Sequence, residues 1–187
     1  QINAFNNDKS LIVCGCGYEI IKKKKEVLFP EKNDEIKISL LYTNSIVHPS
    51  VIIKKTVLLN NFYEKSKEPA EDYDLWTRLI LVGNFYNIPK VLLKYRIHEQ
   101  QVSNKKRELQ KYNFNESRLT FFKTLGYDSN KYPDKLILKF LMQEGNFTNN
   151  EFKLIIEWGK HLKIRNKISN DFEVNAFNNI INFLINN

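Results

Sequence analysis

The sequence AEDYDLWTRLILVGNFYNIPKVLLKYRIHEQQVS, residues 70–103, carries the strongest structural signal in the chain. From Asp72 onward apolar residues recur at helical spacing, and the following Gly-Asn pair provides a C-terminal stop. Acidic residues at the start of such a helix suit its positive end. After the helix, the apolar runs 85–88 and 91–97 predict two strands separated by Pro89.

Upstream of this stretch, short apolar runs alternate with helix-like segments. The runs 11–14 and 18–21 predict strands that meet at a bend, because Gly15-Cys16-Gly17 separates them. The other predicted elements are the end of an element at 1–7, a helix from Asn33 through Leu41, a strand at 51–53 and a short helix at 55–60. Strands that alternate with helices are typical of an α/β sheet.

Beyond Ser103 the apolar residues recur at helical spacing, with no convincing strand. The predicted helices lie at 105–125, 133–143, 149–162 and 170–184. We therefore predict an α/β part, residues 1–103, followed by an all-helical C-terminal appendage, residues 104–187.

The composition predicts a folded chain. Its 187 residues are 42% hydrophobic, which is enough to fill a core. Because it begins with Gln1 and its only methionine is Met142, we expect further sequence upstream. No stretch approaches the roughly 20 apolar residues of a membrane-spanning helix, and the first residues lack the order of a secretory signal.

Two cysteines, Cys14 and Cys16, lie too close together in sequence to staple a fold, which favours a reducing compartment. The cytoplasm is the simplest location. A structural zinc site needs about two more ligands, and no nearby Cys or His supplies them. We therefore predict that both cysteines are small buried side chains.

The charge of +8 comes from 29 basic and 21 acidic residues. Such an excess can favour phosphates or an anionic membrane surface, so peripheral contact with the inner face of a membrane stays open. The densest basic run, Lys22 to Lys25, is interpreted as a solvated turn. Basic and aromatic residues do not alternate along any one segment, which argues against a nucleic-acid partner.

Two segments point to a function: NSIVHPSV, residues 44–51, and the block at residues 70–103. Together they resemble the family 2 glycosyltransferases of the GT-A fold, in which HPS leads into a strand and EDYDLW opens a helix. The resemblance covers residues 1–103 and not the helical tail. It implies a partial GT-A, Rossmann-like sheet. It also implies inverting transfer of a sugar from a nucleotide-sugar donor to a glycan acceptor, in synthesis of a surface polysaccharide.

The acidic motif is the expected catalytic centre. Inverting transfer needs a carboxylate that deprotonates the acceptor hydroxyl while the nucleotide diphosphate departs from the opposite face. The resemblance assigns the base role to Asp72 and implies that Glu71 positions the acceptor or orients its neighbours. The alternative is that Glu71, Asp72 and Asp74 only cap and charge the helix start.

Y-R-x-H and a following Q-x-S close the catalytic domain in the family, and here they correspond to residues 95–103. The resemblance implies that His98 is a ligand of a divalent metal, Mn²⁺ or Mg²⁺, with Arg96 and Gln101 as substrate contacts in the same segment. Imidazole is a reasonable manganese ligand, although oxygen ligands dominate such sites. The alternative is that His98 is an ordinary surface residue.

Two further residues are assigned to substrate binding with an alternative beside each. His48 can line the acceptor or phosphate cleft, or it can simply satisfy a turn before Pro49. Trp76 can form a wall on which a sugar stacks, but its place among apolar neighbours favours the core.

The family's first strand–helix unit and its metal-binding D-x-D motif have no counterpart in this sequence. Asp72-Tyr73-Asp74 has the D-x-D pattern, but its context matches the acceptor-side motif. We therefore expect the chain alone to be inactive. We also expect an open strand edge beside residues 11–14, so that the chain self-associates or rearranges until its own segments cover the gap. A different class of function also stays open, a non-catalytic interaction module that uses the helical tail.

Overall fold

The computed structural model describes residues 1–97 and 106–186, and this part of the chain has an α/β architecture. The strands are β1 (Leu11–Ile20), β2 (Lys25–Val27), β3 (Ile52–Ile53) and β4 (Asn84–Tyr95). The first four helices are α1 (Ile2–Asn7), α2 (Asn33–Ser39), α3 (Lys55–Leu58) and α4 (Glu71–Leu79). The other helices are α5 (Arg107–Lys123), α6 (Asp134–Leu141), α7 (Asn149–Ser169) and α8 (Val174–Asn186).

Strand β1 is the centre of a mixed sheet. It pairs in parallel with β4 along its whole length. On its other side it pairs antiparallel with β3 through Val13 and Cys14, and with β2 through Tyr18–Ile20. The α/β class is confirmed, and the arrangement is consistent with a partial Rossmann-like fold. In the described part of the chain, the open edge expected beside residues 11–14 is absent, because β3 and β4 flank that segment.

The break between two strands predicted at Gly15-Cys16-Gly17 is wrong, because β1 continues through these residues as one strand. The two glycines instead permit close approach of neighbouring chain. A Cβ atom on Gly15 would lie 2.5 Å from the Asn87 Oδ1 atom, and one on Gly17 would lie 2.7 Å from the Val27 carbonyl oxygen. Glycine in a strand often marks such a contact as well as a bend. Cys14 and Cys16 are both buried, as predicted.

The strand break predicted at Pro89 is also wrong, because β4 continues through it. Cys16 pairs with Ile88 and the next residue, Gly17, pairs with Val91, so two residues of β4 are left out of the ladder. Proline has no backbone N–H to donate, and a bulge is one of the few places where a strand accepts it.

The helices α5 to α8, called the helical half, share one hydrophobic core with residues 1–97, called the sheet half. Tyr73 of α4 stacks on Phe114 of α5, with ring centroids 3.8 Å apart. Trp158 of α7 is fully buried in the same core. The predicted boundary at 103/104 lies outside the described residues, and the division into two parts stays a prediction.

Helix α7 is longer than the predicted 149–162 and ends at Ser169, where Asn170 adopts a left-handed conformation with φ of 56°. An Asn in this conformation is a common helix C-cap. The Thr148 side chain caps the other end by accepting from the Glu151 N–H. Among the described helices, none has the length and apolar character needed to cross a membrane.

Candidate functional site

A cavity of about 630 Å³ opens at the N-terminal end of α4. Its lining includes Asn44, His48, Glu71, Asp72, Tyr95 and Gln110. A second cavity, of about 470 Å³, shares Asn44, Asp72 and Gln110 with the first. Asp72 therefore borders both spaces, and we call the two together the Asp72 cleft.

The Asp72 carboxylate is held from two sides. Its Oδ1 atom accepts from the Tyr73 backbone N–H at 2.7 Å, and its Oδ2 atom accepts from the Asn44 Nδ2 at 3.1 Å. The Asn44 amide is fixed in turn, because its Oδ1 accepts from the Ile46 N–H at 3.2 Å. A carboxylate oxygen has two lone pairs, so each oxygen can still accept a hydrogen bond from a ligand.

The neighbouring Glu71 has an unused acceptor. Its Oε2 atom is hidden from solvent and has no hydrogen-bond partner among the described residues, although Glu71 lines the cleft. A buried carboxylate oxygen without a partner is costly. Both carboxylates lie in the first turn of α4, where the positive end of the helix stabilises negative charge.

His48 is tied to a tyrosine that the sequence analysis did not select. The His48 Nε2 atom lies 2.9 Å from the Tyr63 hydroxyl oxygen. Partial burial, and then the negative charges of Asp72 and Glu71, raise the pKa of the Tyr63 phenol. The phenol therefore stays protonated at neutral pH, and its O–H can donate a hydrogen bond to the imidazole. This bond orients the His48 ring at the wall of the cleft.

Trp76 is fully buried, which favours the alternative in which it belongs to the hydrophobic core. Its ring meets His48 edge-on, with centroids 6.0 Å apart, and meets Phe85 in the same way at 6.3 Å. It is not among the residues that line the cleft. Trp76 therefore supports the His48 ring from behind.

Asp74 is separated from the cleft. It is buried, its Oδ2 accepts from Arg78 Nη2 at 2.9 Å, and its Oδ1 accepts from the Ser117 hydroxyl at 3.0 Å. The bond to Ser117 connects α4 to α5, while the bond to Arg78 lies within α4. Asp72 and Asp74 thus have different surroundings, because Asp72 borders the cleft while Asp74 is paired within the protein.

The closing segment is described only in part. Tyr95, the last residue of β4, lines the cleft, and the adjacent Arg96 is exposed. His98 and Gln101 lie outside the described residues, so their assigned roles stay predictions. Within residues 1–97 and 106–186, no group of three or more His, Cys, Asp or Glu side chains is placed to hold a metal ion.

Two other residues of the cleft were not selected from the sequence. Asn44 lies in the quoted 44–51 segment, but only the fold shows that it contacts Asp72. Gln110 comes from the helical half, where no motif marks it, and its Nε2 donates to the Pro69 carbonyl at 2.9 Å. The helical half therefore contributes to the cleft directly.

The chain is similar to several curated proteins that are named glycosyltransferases. It is 33% identical over 118 residues to an uncharacterized glycosyltransferase of Rickettsia typhi, covering 56% of this chain and 36% of that protein. It is 32% identical over 114 residues to one of Rickettsia prowazekii, with the same coverage of 56% and 36%. It is 33% identical over 101 residues to the O-antigen biosynthesis glycosyltransferase WbnJ of Escherichia coli, covering 50% of this chain and 39% of that protein.

These matches extend over no more than 39% of the length of the three relatives. No family model matches the chain. No solved structure matches it. The comparisons therefore support a glycosyltransferase role through the names of the relatives alone.

Proposed function

We propose that this chain is the acceptor-side portion of an inverting, family 2 glycosyltransferase of the GT-A fold, with Asp72 as the general base. The observation that carries the proposal is the Asp72 carboxylate, which borders two adjoining cavities and is fixed by Asn44. The names of the relatives support the same class of reaction.

In the proposed reaction, the acceptor hydroxyl lies within hydrogen-bond distance of Asp72. The hydroxyl oxygen attacks the anomeric carbon of the donor sugar, its proton passes to the Asp72 carboxylate, and the bond to the nucleotide diphosphate breaks on the opposite face. Glu71, which also lines the cleft, accepts from a second hydroxyl of the acceptor and so orients the ring. His48, held by Tyr63, contributes a polar group to the same wall.

The donor side of the proposal rests on the closing segment. His98 is assigned to a divalent metal, Mn²⁺ or Mg²⁺, while Arg96 and Gln101 contact the substrate. Of the described acidic residues, Asp74 is committed to Arg78, so it does not fit a metal site here. In this proposal the remaining metal ligands would be the family's D-x-D carboxylates, which have no counterpart in this sequence. A bound metal would neutralise the charge of the departing diphosphate.

We assign the protein to surface-polysaccharide synthesis, because one relative is named for O-antigen biosynthesis. Nucleotide-sugar donors are used in the cytoplasm, so we place the reaction there, at or near the inner face of the membrane. The charge of +8 favours peripheral contact with anionic lipid. The partners are then a nucleotide sugar and a glycan, with no role for nucleic acid.

The decisive experiment is Asp72→Asn, measured in a protein in which the chain is joined to a donor-binding half. Because general-base catalysis contributes roughly 10²–10⁴-fold, transfer should fall by that factor. Acceptor binding should persist, because the amide still fits the cleft. The matched control is Asp34→Asn, since Asp34 is also the second residue of a helix but is exposed and remote from the cleft. Transfer at the wild-type rate in Asp72→Asn would refute the proposal.

A second experiment addresses His98. His98→Ala should weaken binding of a nucleoside diphosphate in the presence of Mn²⁺, as measured by calorimetry, and should leave the circular dichroism spectrum unchanged. The control is the same titration with the metal removed by a chelator, where the two proteins should not differ. Unchanged affinity with Mn²⁺ present would return His98 to the role of a surface residue.

A further inference from the structure

A separate cavity of about 280 Å³ lies within the helical half. It is enclosed by α5, α6, the 143–147 loop, the start of α7 and the end of α8. Its lining includes Arg118, Phe140, Gln143, Phe147, Phe152 and Leu184. It shares no lining residue with the Asp72 cleft, so a ligand bound in this cavity is independent of the proposed function.

The polar group of this cavity is a buried arginine. Arg118 is only 6% exposed. Its Nε donates to the Leu41 carbonyl, and its Nη1 lies 3.4 Å from the Asn115 Oδ1. Its Nη2 is buried and has no partner among the described residues. Because Nε and Nη1 are engaged, Nη2 is the guanidinium nitrogen left without a partner among the described residues.

The positive charge of Arg118 is not balanced by the protein around it. Within residues 1–97 and 106–186, no carboxylate oxygen forms an ion pair with the guanidinium. Burial lowers the pKa of Arg118, because its surroundings disfavour the charge. A guanidinium nevertheless remains protonated in proteins. A buried cation without a counter-ion is strongly unfavourable, and an anion that enters the cavity would relieve that cost.

The walls of the cavity select among anions. Aromatic and aliphatic side chains surround the single free guanidinium donor, and the described lining contains no second basic residue. The nearby Lys139 is engaged elsewhere, with the Asn146 carbonyl at 2.9 Å and with Glu151 at 3.5 Å. One charge-assisted donor with apolar walls suits a monoanion that has an apolar body. It suits a phosphate dianion poorly.

We propose that this cavity binds a small carboxylic acid anion, with its carboxylate at the guanidinium group of Arg118 and its apolar body against Phe140, Phe147 and Phe152. The Gln143 side chain, at the rim, supplies a second hydrogen bond. The ligand class is therefore a short fatty acid or an aromatic acid.

The test is a titration of the 187-residue chain, followed by NMR and calorimetry, with hexanoate, hexanol and inorganic phosphate as probes. Hexanoate should bind saturably and shift signals of the residues that line the cavity. Hexanol has the same apolar body without the charge, and it should bind on the order of ten-fold more weakly, because charge-assisted hydrogen bonds are the stronger ones. Equal binding of hexanoate and hexanol would refute the role of Arg118, and equal binding of phosphate would refute the ligand class.

Two variants test the location. Arg118→Met should remove the preference for hexanoate over hexanol. Since Arg118 also bonds Leu41 and that variant can fail to fold, Leu184→Trp provides a second route by filling the cavity while keeping the arginine. Hexanoate binding should be lost in Leu184→Trp and kept in the control Ile168→Trp, whose site is 70% exposed on α7. Hexanoate binding to Leu184→Trp at wild-type affinity would place the ligand elsewhere and overturn the proposal.

Discussion

The two faces of the first turn of α4 carry the same chemical group in opposite surroundings. On the outer face, the half-buried Asp72 borders the cleft and retains acceptor capacity for a ligand. On the inner face, the buried Asp74 is committed to Arg78 and Ser117. A carboxylate's role is thus set by the number of partners the protein supplies, because a fully paired carboxylate stabilises the fold while a partly paired one remains available for chemistry.

The largest effect is expected when the two carboxylates are replaced and the resulting losses of stability are compared. Asp74→Ala should lower the free energy of unfolding by about 3 kcal/mol, because it leaves Arg78 and Ser117 without their buried acceptor. Asp72→Asn should change it by less than about 1 kcal/mol, since the amide keeps one acceptor oxygen. Urea unfolding followed by circular dichroism measures both. A larger loss for Asp72→Asn than for Asp74→Ala would show that Asp72 is mainly structural.

The next prediction concerns how Asp72 is held. Asn44→Ala removes the amide donor from Oδ2, and we expect transfer to fall about ten-fold through kcat, with a smaller change in the acceptor KM. Asn44→Asp should lower transfer further, because it places a second carboxylate beside Asp72. The matched control is Asn61→Ala, since the Asn61 amide donates to the Val57 carbonyl, which is nearby in sequence. A loss that lies entirely in KM would make Asn44 a substrate contact and not a positioning residue.

The smallest effect is expected from Tyr73, which lies on the inner face beside Asp74. Complete burial raises the pKa of its phenol far above the ordinary value, and its hydroxyl donates to the Leu40 carbonyl. A phenol whose pKa is raised in the folded state contributes stability below the unfolded value, near 10, and loses it as pH rises. Unfolding free energy should therefore decline above about pH 10.

Tyr73→Phe should flatten that decline and cost about 1 kcal/mol at neutral pH, through the lost hydrogen bond to Leu40. The control is Tyr112→Phe, an exposed tyrosine on α5. Urea unfolding at pH 8 and pH 11 provides the comparison. An identical alkaline decline in the Tyr73→Phe variant would show that Tyr73 does not link stability to pH.

The sequence predicted the elements better than their contacts. Helical periodicity located α5 to within two residues and the start of α4 to within one, because apolar spacing along a helix is a local property. The predictions of a break at the glycines of β1 and at Pro89 of β4 were wrong. Both residue types favour strand breaks, but glycine also allows close approach of neighbouring chain and proline is accepted at a bulge. The local sequence does not show which segment will lie beside the strand, and that segment decides whether the strand breaks or continues.

The sequence predicted some residues of the cleft and missed others. Asp72 and Glu71 were selected because a contiguous motif contains them, and the fold places both at the cleft. Asn44 lies 28 residues from Asp72, and Gln110 lies 41 residues from Pro69, so neither pair forms a sequence pattern. Tyr63 was missed for the same reason, because only the fold brings its hydroxyl to His48.

Helix α5 makes a row of polar contacts to the sheet half, and these bear on how chimaeras of this protein should be designed. Its Asn113 amide donates to the Glu68 carbonyl at 2.8 Å, Ser117 bonds Asp74, and Arg118 bonds Leu41. A splice placed at residue 103, where the quoted 70–103 block ends, would replace one of the two partners in each of these hydrogen bonds. A splice placed after Lys123 would transfer the whole row together with the Asp72 cleft.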